Sequence, residues 1–446
     1  MRQIRRDWNR FWFAPVSSVP LGVFRMVFGG LVLAYGLLLW PDRFVWFSER
    51  GAWRGADALA YNGVGSAGGL DFFGISRRHA LAQGNLLAMH GADRWLTPFF
   101  VVFLLAALGL TAGLWTRVSS ILVYLGLMLL HARDAVIHNS GDTVMIVLAA
   151  YLVLSPCGAA CSLDRLRRVF RGDEDDAPPP IVPWAQRLIQ IQVATVYLCT
   201  SLSKAGGGEW MDGTAAYYPI HLAESARFPT PGIDNVYVIN LLTWGTVAVE
   251  MSLAALIWVP TLRLYVLAAG TLLHLGIEYT LNIPLFSFLM IASYITFLAG
   301  DDISRALTWA KRPLGLTPLR LVYDGGCDFC KSSLLVVRFL DVFRQITFVD
   351  SQNAEALAAT GVRPEDAERA AHAVRSDGRQ SAGFDAFRLV AWQLPATAFF
   401  APLLYVPGVP FLGRRAYGWI AANRSRLPVA ARYKMRPAKV RASALV

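Results

Sequence analysis

Two cysteines near the C-terminus form the pattern with the clearest chemistry in the chain. Cys327 and Cys330 are separated by two residues, and they follow Asp324 and two glycines at the end of a strand-like segment. An apolar-periodic segment follows, so we predict that the pair lies at the N-terminus of a helix. There, unpaired backbone N–H groups and the positive end of the helix dipole stabilise a thiolate. The spacing therefore predicts thiol-disulfide exchange.

Each residue of this motif has a predicted role. We expect Cys327 to attack a disulfide as the thiolate, Cys330 to resolve the mixed disulfide, and Asp324 to accept the proton of the resolving thiol. The alternatives are a zinc site and inert buried thiols. Zinc normally takes four ligands, and His372 is the only histidine after His274. We therefore expect redox use of the two thiols and no metal site.

A lysine interrupts one of the apolar segments. Lys204 follows the apolar run 193–203 and precedes three glycines, which form a turn that lets the chain approach a ligand closely. A lysine that is half-withdrawn from water has a lowered pKa, which suits a general base. We therefore predict that Lys204 is a catalytic residue.

Other polar residues lie at the ends of apolar runs, where they are costly in a bilayer and are candidates for function. The predicted cofactor-binding residues are His131, Arg133, His138, Asn139, Trp210, His274 and Glu278. His274 and Glu278 are four residues apart and share one helix face. The alternative is an interfacial role, in which the side chains snorkel or pair, as Arg133 could with Asp134 and His274 with Glu278.

The elements that must position these residues are mostly membrane helices. Of the 446 residues, 55% are hydrophobic and only 16% are charged, which excludes a single soluble domain. A bilayer-spanning helix needs about 20 mostly apolar residues. We predict a polytopic α-helical membrane domain with about eight spans, in the runs 16–40, 96–115, 118–133, 143–157, 183–203, 236–259, 264–280 and 284–300.

The charge pattern predicts the orientation. The net charge is +11, from 42 basic and 31 acidic residues. Because the arginines cluster beside apolar runs, we interpret the excess as positive-inside anchoring and exclude nucleic acid as a partner. Alternating the spans from a cytosolic N-terminus places the arginine-rich segment 161–176 in the cytosol, together with everything after residue 300. We predict a multi-pass protein of the inner membrane with both termini in the cytosol.

Composition changes after residue 312, where strand-like segments and turn residues begin. This change indicates a small soluble α/β domain. We predict three parts: a membrane domain over residues 1–310, an α/β domain over 317–430, and a basic tail over 431–446.

The membrane part, residues 8–302, resembles the HTTM domain, which is related to vitamin K-dependent gamma-carboxylase. The matching pieces are 131–134 with 139–142, 162–164, 190–197, Lys204 with 210–213, and His274 with 282–286. The resemblance implies that Lys204 corresponds to the lysine that deprotonates reduced vitamin K. In the carboxylase, the hydroquinone then takes up O2, and the resulting alkoxide abstracts a glutamate proton before CO2 adds. The resemblance to this domain thus implies a quinone cofactor of the vitamin K, menaquinone or ubiquinone type.

This chain departs from the carboxylase in two places. Residues 139–142 read Asn-Ser-Gly-Asp where the carboxylase has an Asn-Asn-His stretch. The large soluble peptide-binding region of the carboxylase has no counterpart. We therefore do not expect carboxylation of peptide glutamate.

From residue 319 to 427 the chain resembles the DCC family of thioredoxin-like thiol-disulfide oxidoreductases. The resemblance rests on the Asp-x-x-Cys-x-x-Cys motif, the Asp377-Gly378 turn and the segments 382–386 and 415–421. It implies a thioredoxin-like α/β fold and a protein or small-molecule thiol or disulfide as partner. Thioredoxin places a cis-proline opposite its cysteines, whereas this chain has no proline between Pro364 and Pro395. We expect substrate docking to differ accordingly.

These features together predict a membrane redox enzyme. Its quinone-binding, gamma-carboxylase-like membrane domain would be coupled to a cytosolic thiol-disulfide oxidoreductase domain, with membrane lipid or quinone as a further partner. One alternative is a carboxylase-like lyase that uses reduced quinone, O2 and CO2 on an unknown acceptor. The other is a non-enzymatic partner in the export of a peptide or in immunity to it.

Overall fold

The chain divides into two compact units. The structure, a computed structural model, describes residues 1–52, 87, 93–134, 137, 139–171, 173, 177–311, 318–341, 345–398, 400–424 and 426. One unit comprises Met1–Ser162 and Pro178–Ala299, and the other comprises Leu163–Ala177 and Gly300–Val446. This division differs from the expected boundary at residue 310, because the helix that begins at Gly300 groups with the second unit.

The first unit is built from helices. Each of the eight apolar runs predicted from the sequence contains a helix, so their helical character is confirmed. In chain order the helices are α1 (Arg2–Phe13), α2 (Val19–Leu39), α3 (Arg43–Phe47), α4 (Asp93–Ala112), α5 (Thr116–Arg133), α6 (Ser140–Leu154), α7 (Leu163–Arg171, part of the second unit), α8 (Trp184–Ala205), α9 (Gly208–Met211), α10 (Tyr217–His221), α11 (Val236–Ala255), α12 (Arg263–Thr280) and α13 (Phe286–Tyr294).

The lengths and exposed faces of these helices are those of a membrane protein. Among the described residues, three helices are long and apolar enough to cross a bilayer: α2, α4, and α11 with its 3-10 extension to Trp258. Two further apolar segments, α6 and Phe286–Phe297, are shorter. Large apolar side chains such as Leu241 and Leu272 are exposed on the helices, as lipid contact requires. The count of eight spans remains a prediction.

Two local features fix the start of α2. The short strands β1 (Val16–Ser17) and β2 (Pro180–Ile181) pair antiparallel and join the chain before α2 to the chain before α8. Arg25 is fully buried, and its guanidinium donates to the carbonyl oxygens of Leu110 and Cys161, each at 2.5 Å. Leu110 lies in the last turn of α4, where carbonyl oxygens lack intrahelical donors, so the buried arginine satisfies an acceptor that the helix leaves unpaired.

The second unit contains a four-stranded sheet. The strands are β3 (Leu319–Tyr323), β4 (Ile346–Asp350), β5 (His372–Arg375) and β6 (Gln380–Ala382), in the order β4-β3-β5-β6. β3 is parallel to β4, and the two other pairings are antiparallel. The helices are α14 (Gly300–Lys311), α15 (Asp328–Leu340), α16 (Ala354–Ala358), α17 (Pro364–Arg369), α18 (Phe384–Gln393), α19 (Pro395–Ala398) and α20 (Val409–Asn423).

Alternating side chains of β3 supply a core on each face of this sheet. Leu321 packs with residues of α15 and α18, whereas Val322 packs with residues of α16 and α17. The loop between β3 and α15 therefore leaves the sheet at its carboxyl edge, where the two cysteines lie. Helix α7 also contacts α15, which explains why it groups with this unit.

Candidate active site

Cys327 occupies the N-cap of α15. Its backbone is extended, and Asp328 is the first residue of the helix. The Cys327 sulfur accepts a hydrogen bond from the backbone N–H of Cys330 at 3.2 Å. An N-cap acceptor satisfies one of the orphan donors of the helix, and a thiolate there also benefits from the helix dipole. The predicted position of the pair at a helix start is confirmed.

Cys330 lies one turn further into the same helix, and its thiol resists ionisation. Burial raises its pKa to about 12, and the hydrogen bond and charge of Cys327 add to the effect. The charge of Asp324 acts in the same direction, and that of Arg424 opposes it. At neutral pH Cys330 is therefore a protonated thiol that needs a base before it can attack.

Asp324 lies beside the cysteines and is held at both of its oxygens. Oδ1 accepts the backbone N–H of Gly326 at 2.8 Å, which shapes the turn between β3 and the cysteines. Oδ2 lies 3.0 Å from a guanidinium nitrogen of Arg424, which caps the C-terminus of α20. The side chain of Asp324 is only 13% exposed, so the arginine balances a charge that water reaches poorly.

The first unit contains a second polar site, around Lys204 at the end of α8. Its ammonium group forms an ion pair with Glu250 of α11 and lies 5.0 Å from the ring centre of Trp210. Thr200, one turn earlier on α8, donates to the other oxygen of Glu250 at 3.3 Å. Since the Lys204 and Glu250 side chains are 20% and 9% exposed, the pair is largely removed from water. Such a pair can hold or pass one proton.

A buried hydrogen-bonded cluster continues along the same face of α8. The hydroxyl of Tyr197 lies 2.7 Å from Nε2 of His274 on α12 and 2.6 Å from the hydroxyl of Tyr294 on α13. Tyr197, Thr200 and Lys204 are spaced by three and four residues, so they share one helix face. His274 is 2% exposed, and its Nδ1 has no hydrogen-bond partner among the described residues.

Phe286 contacts both His274 of this cluster and the start of α6, where two other predicted residues, Asn139 and His131, make contacts. The ring of Phe286 lies 5.6 Å from that of His274 and also packs against Gly141 at the start of α6. Asn139 caps α6, with its side chain accepting the N–H of Gly141 at 2.7 Å. His131 lies 3.6 Å from Asp142 of the same helix start.

Two predicted residues make contacts that stabilise the fold. Arg133 is fully buried and donates to the carbonyl oxygens of Leu87 and Ser48, at 2.9 and 2.8 Å. Glu278 pairs with Arg227 of the loop after α10. The pairing of His274 with Glu278 that the sequence left open is therefore not formed, since each has another partner.

One predicted residue cannot be placed in this way. His138 lies outside the described residues.

Comparison with known proteins assigns both units. The model of the HTTM domain matches residues 85–301, and the model of the DCC1-like thiol-disulfide oxidoreductase matches residues 321–430. This chain joins an HTTM domain to a DCC1-like domain. The resemblance expected from the sequence is thereby confirmed, and the thiol site lies in the DCC1-like domain while the Lys204 site lies in the HTTM domain.

Curated relatives add little about activity. The chain is 28% identical over 134 residues to the uncharacterized protein YitO of Bacillus subtilis (strain 168), which covers 28% of this chain and 43% of that protein. The chain thus spans less than half the length of this relative. No solved structure matches the chain.

The structure adds functional candidates that the sequence interpretation missed. Glu250, Tyr197 and Tyr294 join Lys204 and His274 in the first unit. Glu250 had a usable signal, because it is the only charged residue of the apolar run 236–259. Tyr197 and Tyr294 had no comparable signal in the sequence. In the second unit Arg424 was missed, because its partner Asp324 is distant in sequence.

Proposed function

We propose that this membrane protein is a thiol-disulfide oxidoreductase whose DCC1-like domain reduces a protein or small-molecule disulfide. The thiolate of Cys327 attacks one sulfur of the substrate disulfide, which forms a mixed disulfide and releases one substrate thiolate. Cys330 then gives its proton to Asp324 and attacks the sulfur of Cys327. The second substrate thiolate leaves, and the enzyme retains both sulfurs as a disulfide. A thiol reductant such as reduced glutathione returns the pair to the dithiol.

The observation that carries this proposal is the asymmetry between the two sulfurs. Cys327 accepts an N–H at the helix N-cap, whereas Cys330 has a pKa raised to about 12 by burial and by Cys327. One thiol is thus placed for attack, and the other keeps its proton until attack has occurred. Asp324, with its charge balanced by Arg424, is the nearby base.

The direct test is disulfide reduction by the full chain purified in detergent. With glutathione as reductant and a small aromatic disulfide as substrate, the wild type should turn over and Cys327→Ser should not. Cys199→Ser, which changes an exposed cysteine of α8, serves as the matched control and should retain turnover. Retained turnover in Cys327→Ser would contradict the proposal.

We further propose that the protein lies in the inner membrane with both termini in the cytosol. The arginine-rich helix α7 and the DCC1-like domain belong to the same compact unit, so they lie on one side of the membrane. The positive-inside rule favours the cytosol for that side. A reducing compartment also suits a dithiol that acts as a reductant.

A second candidate function belongs to the HTTM domain, which we propose binds a quinone of the vitamin K, menaquinone or ubiquinone type. The observation that favours it is the buried Nδ1 of His274, which lacks a partner among the described residues, next to the Lys204 and Glu250 pair. Such a nitrogen can hydrogen-bond a carbonyl or hydroxyl oxygen of a quinone head group, and apolar helices suit its tail. The residues present therefore fit this cofactor.

A bound quinone would supply two-electron redox chemistry. His274 would hold the head group, Tyr197 would orient the His274 ring, and Lys204 with Glu250 would take up or return a proton. A carboxylase-like use of O2 and CO2 rests on the family resemblance alone. Extraction of lipids from the purified protein, followed by mass spectrometry, tests for the quinone. A co-purifying peptide in its place would favour the export or immunity alternative.

A further inference from the structure

The C-terminal part of the second unit exposes an unusual amount of apolar surface. Five large apolar side chains lie on α20 and on the 3-10 turn (Ala401–Tyr405) and short connection before it. Each is about half exposed or more: Leu403, Val406, Phe411, Leu412 and Trp419. We call these five residues the apolar patch. Large apolar side chains exposed together on one helix and the turn before it are typical of an interaction site.

The opposite face of α20 is committed to the fold. Gly413 packs directly against the ring of Phe384, and a side chain at this position would clash with that ring. The Tyr417 hydroxyl accepts the backbone N–H of Ala371 at 2.9 Å. Because these contacts fix the rotation of α20, the apolar patch is held outward by the packing of the unit.

The charged residue on the patch side of α20 is basic, as are the charged residues of the sequence that follows. Arg415 is four residues from both Phe411 and Trp419, so it shares their helix face, and its guanidinium lies 5.9 Å from the Phe411 ring centre. Asp385 is the last acidic residue of the chain, and ten lysines and arginines follow it. The surface of a soluble protein normally intersperses both signs. An apolar face within an acid-free, basic segment complements an anionic surface.

We propose that the apolar patch and Arg415 dock on the anionic headgroup region of the membrane leaflet that faces the DCC1-like domain. Aromatic and aliphatic side chains enter the headgroup boundary of a bilayer, and arginines pair with lipid phosphates. The HTTM match ends at residue 301 and the DCC1-like match begins at residue 321, so the chain tethers this domain to the membrane domain. Each basic residue near such a surface adds electrostatic attraction to it.

Docking of the apolar patch on lipid would affect the thiol site, because α20 connects the two. Arg424 directly follows this helix, and its guanidinium binds Asp324. A lipid surface that holds the outer face of α20 thus also holds the residue that balances the charge of Asp324. Docking on lipid does not depend on the proposed thiol chemistry, so an experiment can disprove either proposal without disproving the other.

Site-specific photocrosslinking of the full chain tests the proposal. Benzoylphenylalanine replaces Leu412 in one variant and Glu365, an exposed residue of α17 beside the other sheet face, in the matched control. Both proteins are placed in nanodiscs of mixed phosphatidylglycerol and phosphatidylcholine, and adducts are identified by mass spectrometry. We expect lipid adducts at position 412, several-fold more than at 365, with phosphatidylglycerol enriched over its share of the mixture.

A second variant tests the charge. Arg415→Glu in the Leu412 photoprobe background should lower the phosphatidylglycerol adduct about fivefold or more, because it removes a basic charge worth about fivefold at an anionic surface and adds an acidic one. Arg415→Lys should retain most of it. Equal lipid adducts at 412 and 365 would overturn the proposal. So would crosslinks from 412 to a second copy, to the HTTM domain or to a peptide, since each identifies another occupant.

Discussion

The sulfur of Cys327 accepts the backbone N–H of Cys330 across 3.2 Å. This hydrogen bond places the two cysteines in unequal environments although they share one helical turn. The first sulfur receives the donor that would otherwise be orphaned at the helix start, and the second sulfur lies where burial raises its pKa to about 12. Because of this inequality, we expect Cys327 to attack and Cys330 to resolve.

Replacing Asp324 should slow resolution far more than attack. Asp324→Asn keeps the shape of the side chain and removes the proposed acceptor of the Cys330 proton, and general-base catalysis contributes about 10² to 10⁴ in rate. Rapid-quench alkylation, which separates the mixed disulfide from the final disulfide, measures both steps. Asp328→Asn, a change at an exposed carboxylate of the same helix start, is the control. Equal slowing of both steps in Asp324→Asn would contradict the assigned role.

Arg424 should set the pH dependence of resolution. Its charge lowers the pKa of Cys330, so Arg424→Ala should raise that pKa further and move the rise of the resolution rate to higher pH. Arg424→Lys keeps the charge and should give an intermediate profile, whereas Arg426→Ala, at an exposed neighbour, should leave it in place. The pH-rate profile of the resolution step measures the shift. A profile that moves to lower pH in Arg424→Ala would contradict this electrostatic role.

Part of the thiol site could be predicted from the sequence, and part of it could not. The helix start at Cys327 was predictable, because a strand, a glycine turn and an apolar-periodic segment are all local signals. The partner of Asp324 was not, since Arg424 reaches it through the packing of α20 on the sheet, and no local pattern encodes that contact.

In the membrane unit, the sequence contained helix-start signals that were interpreted as binding residues. Asn139 was interpreted as a cofactor-binding residue, and in the structure it forms a capping box with Asp142 at the start of α6. An Asn followed three residues later by an acid is a known helix-start signal, so the capping was predictable. Arg25 and Glu250 were overlooked, because a scan for apolar runs tolerates a single charge.

The ion pair of Lys204 with Glu250 changes what a lysine variant should do. Lys204→Ala removes the proposed proton-transfer group, but it also leaves Glu250 buried without its counter-charge, which typically costs about 3–5 kcal/mol. We therefore expect a clear fall in the apparent Tm of the detergent-purified protein. The double variant Lys204→Met with Glu250→Gln should recover stability without recovering any quinone-linked activity.

The control for this experiment is an exposed ion pair. Arg305, which pairs with Asp302, has a side chain that is 76% exposed, so Arg305→Ala should change stability by about 1 kcal/mol or less. If Lys204→Ala is as stable as Arg305→Ala, the pair does not hold the helices as described. If the double variant remains active, Lys204 has no part in proton transfer.

His274 should determine how much quinone the protein retains. Loss of one buried hydrogen bond to the head group weakens binding about tenfold, so His274→Ala should lower the quinone found by mass spectrometry after purification. Tyr197→Phe should lower it less, because it removes only the hydroxyl that orients the His274 ring. His221→Ala, at a histidine of α10 outside this cluster, is the control. A wild type that carries no quinone would remove this candidate function.

The most direct test of the central claim is trapping of the mixed disulfide in each cysteine variant of the full chain. Cys330→Ala should accumulate a disulfide between Cys327 and a substrate thiol, because attack proceeds and resolution cannot. Cys327→Ala should accumulate none, because Cys330 keeps its proton. Non-reducing gels and mass spectrometry of the trapped species identify the linked cysteine. Trapping at Cys330 in the Cys327→Ala protein, with none at Cys327 in the other variant, would contradict the account.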